Sequence, residues 1–401
     1  LRLAVVSPFL DRAHGTERAL SEVLVRLAKN YPCEIHLFAQ KVSDLTTISA
    51  HENSHGNHGD VVWYAVKPTG GPHLLQFLVW YFRNRQVRRE IVRHSGRPFD
   101  LVFSPGINCS DADAIIVHAL FHRLRLLSQL EHTRAGVIRK LHRNIYYRLL
   151  TFLESRIYTH PSVALAAVSP RTKSDIAKFF QRSDVQIIPN AVDTEVFSSQ
   201  TRQAHRSTAR QNLQFAEDDI VLLLIGNDWA VKGLPTLLAA MQQSPNRHLR
   251  LLAVGTDDPR PFQKIAASLQ LQQFCRWEPP SSDVLQFFAA ADIYASPSLE
   301  DSFAMPAAEA MACGLPVITS RQAGIAALVE DGLDAFVQKN PLDSAELARL
   351  ITALSADAAL RQRVGAAAEK KAQSWTWDKN AAQVWQFLNS ALAAKTATHK
   401  T

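Results

Sequence analysis

Short apolar runs alternate with longer amphipathic stretches along the whole chain. A continuous apolar run bounded by polar turns fits a strand buried on both faces, and strands alternating with helices build parallel sheets from βαβ units. In the first half this pattern predicts strands at 2–6, 33–39, 61–66, 99–104, 114–117, 163–168 and 185–188. Helices are predicted at 16–29, 74–93, 135–157 and 170–180. The segment from Lys41 to Asp60 carries His51, His55 and His58, is polar and aperiodic, and reads as a loop whose histidine spacing matches no standard metal site. A polar stretch from Asn190 to Ser207 breaks the alternation. It restarts with strands at 220–225, 249–254, 274–277, 292–296, 315–319 and 334–337, and helices at 233–243, 260–269, 283–291, 305–313 and 342–354.

A chain of 401 residues exceeds a single hydrophobic core, so the break separates two domains. The reading is an α/β protein with one Rossmann-like domain at 1–190 and a second at 191–377. The last amphipathic stretch, the helix 378–401 after Trp375-Thr376-Trp377, is expected to cross back to the first domain. Open parallel sheets bind ligands outside the carboxyl ends of their strands, so two such sheets facing across a cleft would share one site.

Composition narrows the class. At 47% hydrophobic and 20% charged, the chain is an ordinary globular protein. Cys33, Cys109, Cys275 and Cys313 lie far apart without a C-x-x-C pair, which argues against a zinc module or disulfide scaffold and for a cytoplasmic location. No apolar run approaches the ~20 residues of a spanning helix. The N-terminus is too short an apolar run for a secretory leader and reads as a buried first strand lacking its initiator methionine.

The net charge is +7, and its distribution matters more than its total. Residues 1–200 hold 25 basic and 17 acidic side chains, whereas 201–401 hold 19 and 20. Residues 83–148 alone carry 13 basic against 5 acidic. Arg85, Arg88, Arg89 and Arg93 fall within one arc of a predicted helix, directly after the apolar run Leu74 to Phe82. Apolar and basic surface side by side suits an anionic membrane leaflet, through residues 74–97 and 123–148. A solvated face beside a buried stretch is the plainer alternative. Nucleic-acid binding has only the charge in its favour, with no recognised motif.

Three strand-to-helix junctions carry candidate chemistry. The first is His14-Gly15-Thr16-Glu17, where a glycine and free helix N–H groups suit an anion, although the G-x-G-x-x-G dinucleotide fingerprint is missing. An ordinary βα turn would look the same. The second, Gly226-Asn227-Asp228-Trp229-Ala230-Val231-Lys232-Gly233, places a lysine where a helix begins. A cation there opposes the macrodipole, which makes sense if it shares a phosphate with the helix N–H groups. The third runs from Ser296 to Val317, with Asp301 in the loop and Glu309 on a helix that Gly314 caps. These carboxylates are eight residues apart and too widely spaced for a glycosidase pair. They suit a long ligand with hydroxyls at both ends.

These residues resemble a known family. Asp301, seven residues, then Glu309-Ala310-Met311-Ala312-Cys313-Gly314-Leu315-Pro316-Val317 resembles the carboxylate motif of family 4 retaining glycosyltransferases of the GT-B fold. Lys232-Gly233, the linker Pro189-Asn190-Ala191-Val192-Asp193 and the Gly15 loop match further family motifs. Bacterial lipopolysaccharide-core glucosyltransferases and related mannosyltransferases are similar. The resemblance implies a hexosyltransferase using a nucleotide-diphosphate sugar, UDP-sugar favoured, a glycan or lipid-linked acceptor, and no metal or other cofactor.

It further implies that Glu309 holds the ribose, Asp301 the transferred sugar, and the amides of Phe303, Ala304 and Met305 the sugar and diphosphate. Lys232 would neutralise the leaving group, with Asn227, Gly15 and Thr16 alongside. His118 would stand beside the sugar, with His122 as its competitor, and Arg276 near the base. Family patterns are broken at Asp301 (normally Glu, with Glu300 adjacent), Asn227 (normally Arg), and Ser302 and Ala304 (normally Gly). Asp111-Ala112-Asp113 resembles a metal-binding D-x-D but reads as a chance match. No carboxylate stands out as a covalent nucleophile, so the expected reaction is front-face transfer with retention. A non-catalytic sugar- or lipid-binding subunit of the same fold is the alternative.

Overall fold

The structure is a computed structural model that describes residues 1–11, 15–43, 48–49, 61–130 and 137–398. The chain divides into two compact units: residues 1–190 plus the chain from Trp377 onward, and residues 191–376.

The first unit is built on an eight-stranded parallel sheet. Its order is Gln186–Ile187, Ala164–Ala167, Ala114–Val117, Leu101–Ser104, Arg2–Val6, Glu34–Ala39, Val61–Ala65 and Ile48–Ser49. The first strand therefore lies inside the sheet, flanked on one side by the second major strand and on the other by Leu101–Ser104. That arrangement is the doubly wound topology, with a switch point between Arg2–Val6 and Leu101–Ser104. Ala114–Val117 is buried throughout, as a strand covered on both faces must be. The expected loop from 41 to 60 contains two short strands, Lys41–Val42 and Ile48–Ser49; residues 44–47 and 50–60, with the three histidines, lie outside the described residues.

The helix Trp377–Thr398 belongs to this first unit. Val384 and Leu388 are fully buried, Trp385 stacks on Tyr31 with ring centroids 5.0 Å apart, and Asp378 pairs with Arg26 at 2.9 Å. Lys395 donates to Asp113 Oδ2 at 2.9 Å and to the Asp100 carbonyl at 3.0 Å.

The second unit holds a six-stranded parallel sheet ordered Cys275–Glu278, Leu249–Val254, Ile220–Ile225, Ile293–Ser296, Val317–Ser320 and Phe336–Gln338. Here the switch point lies between Ile220–Ile225 and Ile293–Ser296, which pair directly. The loops leaving those two strands must therefore meet at one edge of the sheet.

Three helices escaped the sequence pattern. Ser199–Asn212 lies in the expected linker, capped by Ser198 and Thr201 in a reciprocal capping box. Its inward face carries arginines, Arg210 buried and Arg202 and Arg206 half-buried: all three donate to the carbonyls of Ala289 to Ala291 that end the helix Leu285–Ala290, and Arg206 and Arg210 also reach Asp292. Ala358–Ala372 buries mostly small residues, among them Gly365, where an added Cβ would lie 2.2 Å from the Gly314 carbonyl oxygen. Phe121–Leu130 is held at its start by Glu154, a fully buried carboxylate that accepts from the Phe121 and His122 amides at 2.6 and 2.9 Å.

Candidate active site

A polar cluster of the second unit forms at its switch point. The strand Ile220–Ile225 leads into a tight turn through Gly226 and Asp228, both at positive φ, and ends at Gly233, which caps the helix Leu234–Gln243. Asp257 pins the turn by accepting from the amides of Asp228 and Trp229. The loop after Ile293–Ser296 docks directly on it: the Leu299 amide donates to the Val231 carbonyl at 2.7 Å. Only glycine is possible at 233, because φ is +81° and a Cβ would lie 2.1 Å from the Pro297 carbonyl oxygen.

This contact brings Lys232 and Asp301 together. The lysine stem lies over Gly226, and its Nζ meets Asp301 Oδ2 at 2.5 Å. Both side chains are largely buried, 19% and 15% exposed. The other oxygen, Oδ1, accepts from the amides of Ala304 at 2.7 Å and Phe303 at 3.3 Å. One carboxylate thus balances the lysine and caps the start of the helix Met305–Ala312, where the macrodipole favours negative charge. The lysine's counter-anion, expected to be a phosphate, is here a side chain of the protein. The amides of Phe303 and Ala304, expected to face a ligand, are taken by the same carboxylate.

The departures from the family pattern acquire physical meaning. It is Asp301, at the position of the usual Glu, that makes these contacts. Ala304 sits at φ +74°, a left-handed conformation that costs an alanine about 1–2 kcal/mol and that glycine would adopt freely. Asn227 is exposed, and its Oδ1 accepts from both the amide and the hydroxyl of Thr256. It braces the turn against the loop after the next strand.

Glu309 is buried on the helix Met305–Ala312, as is Met305 at its start. A residue without any sequence signature joins them: Tyr294, on the strand beneath, is fully buried. Burial, then the charge of Asp301 and more weakly Glu309, pushes its phenol well above the ordinary range, so it stays protonated. Arg276 sits on the outer strand Cys275–Glu278, where its polar partners are Glu278 at 2.6 Å and Gln214 at 3.3 Å rather than the Lys232–Asp301 group.

In the first unit, Gly15 and Thr16 open the helix Gly15–Asn30; His14 lies outside the described residues. His118 follows the strand Ala114–Val117 and is partly exposed. It makes no hydrogen bond among the described residues, unlike an ordinary core histidine, and desolvation pushes its imidazole down to about 4. His122, its competitor, is committed to the fold. Its Nδ1 lies 2.6 Å from the buried Glu154, and its ring packs against Phe179 and Phe180.

The D-x-D carboxylates are also committed. Asp111 pairs with Arg88 and Arg85, and Asp113 accepts from the Val102 amide and Lys395. Among the described residues, the one group with metal-ligand spacing is Asp218, Asp219 and His248, at the opposite end of the second sheet, where Arg250 lies 2.9 Å from Asp219 Oδ1.

The basic region is only partly a surface. Arg88 is buried and paired, which corrects its place in the solvent-facing arc, and Arg83 donates to the Lys67 carbonyl. Arg85, Arg89 and Arg93 are exposed in one line with Phe82, which is 66% exposed. The neighbouring helix Val137–Tyr158, joined by the Phe77–Tyr146 ring contact, exposes Leu141, Ile145 and Phe152 with Arg148 and Arg156. Arg134 lies outside the described residues, as do the side chains of Arg139 and Lys140. No helix among the described residues is long and apolar enough to cross a membrane.

Comparisons with known proteins follow the same lines. Residues 205–371 match the family model described as glycosyl transferases group 1. A D-inositol 3-phosphate glycosyltransferase of Geodermatophilus obscurus is 30% identical over 225 residues, 53% of this chain and 47% of that protein. The chain spans about half the length of the curated relatives it matches. WaaG, a glycosyltransferase involved in lipopolysaccharide biosynthesis, superposes with a TM-score of 0.74 at 18% identity, over 95% of this chain and 99% of that one. HepE of Anabaena, in complex with UDP and glucose, superposes with a TM-score of 0.70 at 18% identity, over 97% and 99%. The chain has the GT-B fold, α/β with parallel sheets in two domains.

The state of His118 has a measurable consequence. An imidazole neutral to about pH 4 in the folded protein but titrating near 6.5 when unfolded lets the unfolded chain bind more protons between those values. Stability is therefore lost as the pH falls from about 6.5 to about 4 and regained as it rises. Urea unfolding across that window should show a shallower pH slope in His118→Gln; identical slopes would contradict the assignment.

Proposed function

With residues 205–371 matching the group 1 glycosyl transferases and the chain sharing the GT-B fold, we propose that this protein is a retaining glycosyltransferase. It moves a hexose from a nucleotide-diphosphate sugar, UDP-sugar favoured, to a hydroxyl of a glycan or lipid-linked acceptor, without a metal. The observation that carries this reading is the Lys232–Asp301 pair at the switch point of the second sheet, beside a helix N-terminus. A lysine, backbone amides and a helix dipole converging on one carboxylate make a site for anionic oxygen. The UDP and glucose bound by HepE, and the role of WaaG in lipopolysaccharide biosynthesis, support the donor and acceptor classes.

The donor diphosphate takes the place of Asp301 against Lys232. Asp301 is thereby released to accept hydrogen bonds from the hydroxyls of the transferred sugar, and Glu309 receives those of the ribose. As the anomeric C–O bond breaks, charge grows on the leaving phosphate, where Lys232 and the helix N-terminus stabilise it without reorganisation. The leaving phosphate oxygen takes the proton of the acceptor hydroxyl, and the acceptor oxygen bonds the anomeric carbon on the same face. For His118, neutral at physiological pH, the reading keeps the role of a hydrogen-bonding partner to the transferred sugar.

Transfer is expected from the unaltered protein and in the presence of EDTA, with an NMR-defined product of retained configuration. Lys232→Ala should lower kcat by roughly 10²–10³, and Glu309→Ala should raise the donor KM. Transfer unaffected by either change, or an inverted product, sinks the reading. Absence of transfer by the unaltered protein favours the non-catalytic binding subunit.

The exposed apolar and arginine side chains on His73–Ser95 and Val137–Tyr158 support a second element: peripheral binding at the cytoplasmic face of an anionic membrane. Vesicles containing anionic lipid should sediment the protein more strongly than neutral ones, with the difference shrinking at high salt. Equal sedimentation at low salt counts against it, and Arg85→Glu with Arg89→Glu should reduce the binding.

A further inference from the structure

The helix Trp377–Thr398 brings Asn380 into the first unit, where the side chain is only 5% exposed. Its Nδ2 donates to the Pro189 carbonyl at 2.6 Å. A carbonyl can only accept, so the amide nitrogen must face Pro189, and the amide oxygen is fixed on the opposite side. That oxygen, Oδ1, is buried and accepts no hydrogen bond among the described residues. Asn380 lines a cavity of about 20 Å³ walled by Leu20, Phe103 and Val384, and His118 lines the same cavity. His118 likewise has no hydrogen-bond partner among the described residues. Both polar groups therefore line a space that holds about one water, its walls otherwise apolar apart from Asn190, and neither has a protein partner among the described residues.

We propose that one ordered water in this cavity donates to Asn380 Oδ1 and hydrogen-bonds the His118 ring, which makes Asn380 a positioning residue that sets the His118 tautomer. A water supplies two donors and two acceptors, enough for both groups. The nitrogen engaged by that water determines which state the other nitrogen presents, because a neutral imidazole has one donor and one acceptor. The depressed basicity of His118 fits this role, since only the neutral ring has a tautomer to choose. The C-terminal helix then takes part in the chemistry of the first unit as well as in its packing. The catalytic consequence rests on the function proposed above; the tautomer itself does not.

Selective ¹⁵N-histidine labelling separates the two. Long-range ¹H–¹⁵N correlation at neutral pH, with the His118 signal identified by its loss in His118→Gln, should show a single tautomer in the unaltered protein. Asn380→Leu, which fills the cavity and removes the acceptor, should give a mixture. Asn380→Ala, which cannot overpack, must give the same answer should the leucine variant fail to fold. A His118 tautomer unchanged in the folded Asn380 variants overturns the inference, whether or not the protein transfers sugar. In transfer assays Asn380→Leu should lower kcat on the order of tenfold with little change in donor KM, by analogy with other outer-shell partners of histidine. That loss should vanish in a His118→Gln background; an equal loss there means that Asn380 acts only through packing.

Discussion

The ion pair between Lys232 and Asp301 depends on features spread over the whole second unit. The order of its parallel strands sends two loops to the same edge, and the docking of Leu299 on Val231 fixes their separation. Gly233 permits that approach because nothing larger fits under the Pro297 carbonyl. A largely buried pair of this kind gains little over an apolar contact, because desolvation offsets much of the attraction. Its value is placement: a cation, two amides and a helix N-terminus are held around one carboxylate. The left-handed Ala304 is kept in place by the same carboxylate, so local strain and local charge are answered by a single side chain.

Charge in the first unit is spent differently. Glu154 caps a helix and binds His122, Asp111 neutralises Arg88 and Arg85, and Asp113 anchors the C-terminal helix through Lys395. With these carboxylates committed to the fold, none of them holds a proton on His118, and desolvation keeps its ring neutral. The net charge of +7 is also less of a surface property than its total implies. Arg88 and Arg210 are buried ligands of carboxylates and carbonyls. Arg85, Arg89, Arg93, Arg148 and Arg156 are exposed beside phenylalanine, leucine and isoleucine on two adjoining helices.

Much of this was legible in the sequence. Parallel strands covered on both faces read as unbroken apolar runs, and Ala114–Val117, Ile220–Ile225 and Leu249–Val254 fall where that reading puts them. The helix Ser199–Asn212 was hidden because its inward face is largely arginine, which hydrophobic periodicity reads as solvent. Ala358–Ala372 was hidden because small residues give a weak pattern. In the site, Lys232 was conspicuous for its place at a helix start, whereas its pairing with Asp301 needed the strand order. Tyr294 and Asn380 had no signature at all: one is an aromatic in a buried strand, the other an amide in a distant helix.

The central claim is that Lys232 and the helix Met305–Ala312 form a diphosphate site, and comparing nucleotides that differ by one phosphate tests it most directly. Isothermal titration of UDP, GDP and ADP, each against its own monophosphate, gives that comparison without an acceptor. One base should be preferred, and its diphosphate should bind at least about tenfold tighter than its monophosphate, a difference of about 1.4 kcal/mol. Equal affinity for the two, with every base tested, would contradict it.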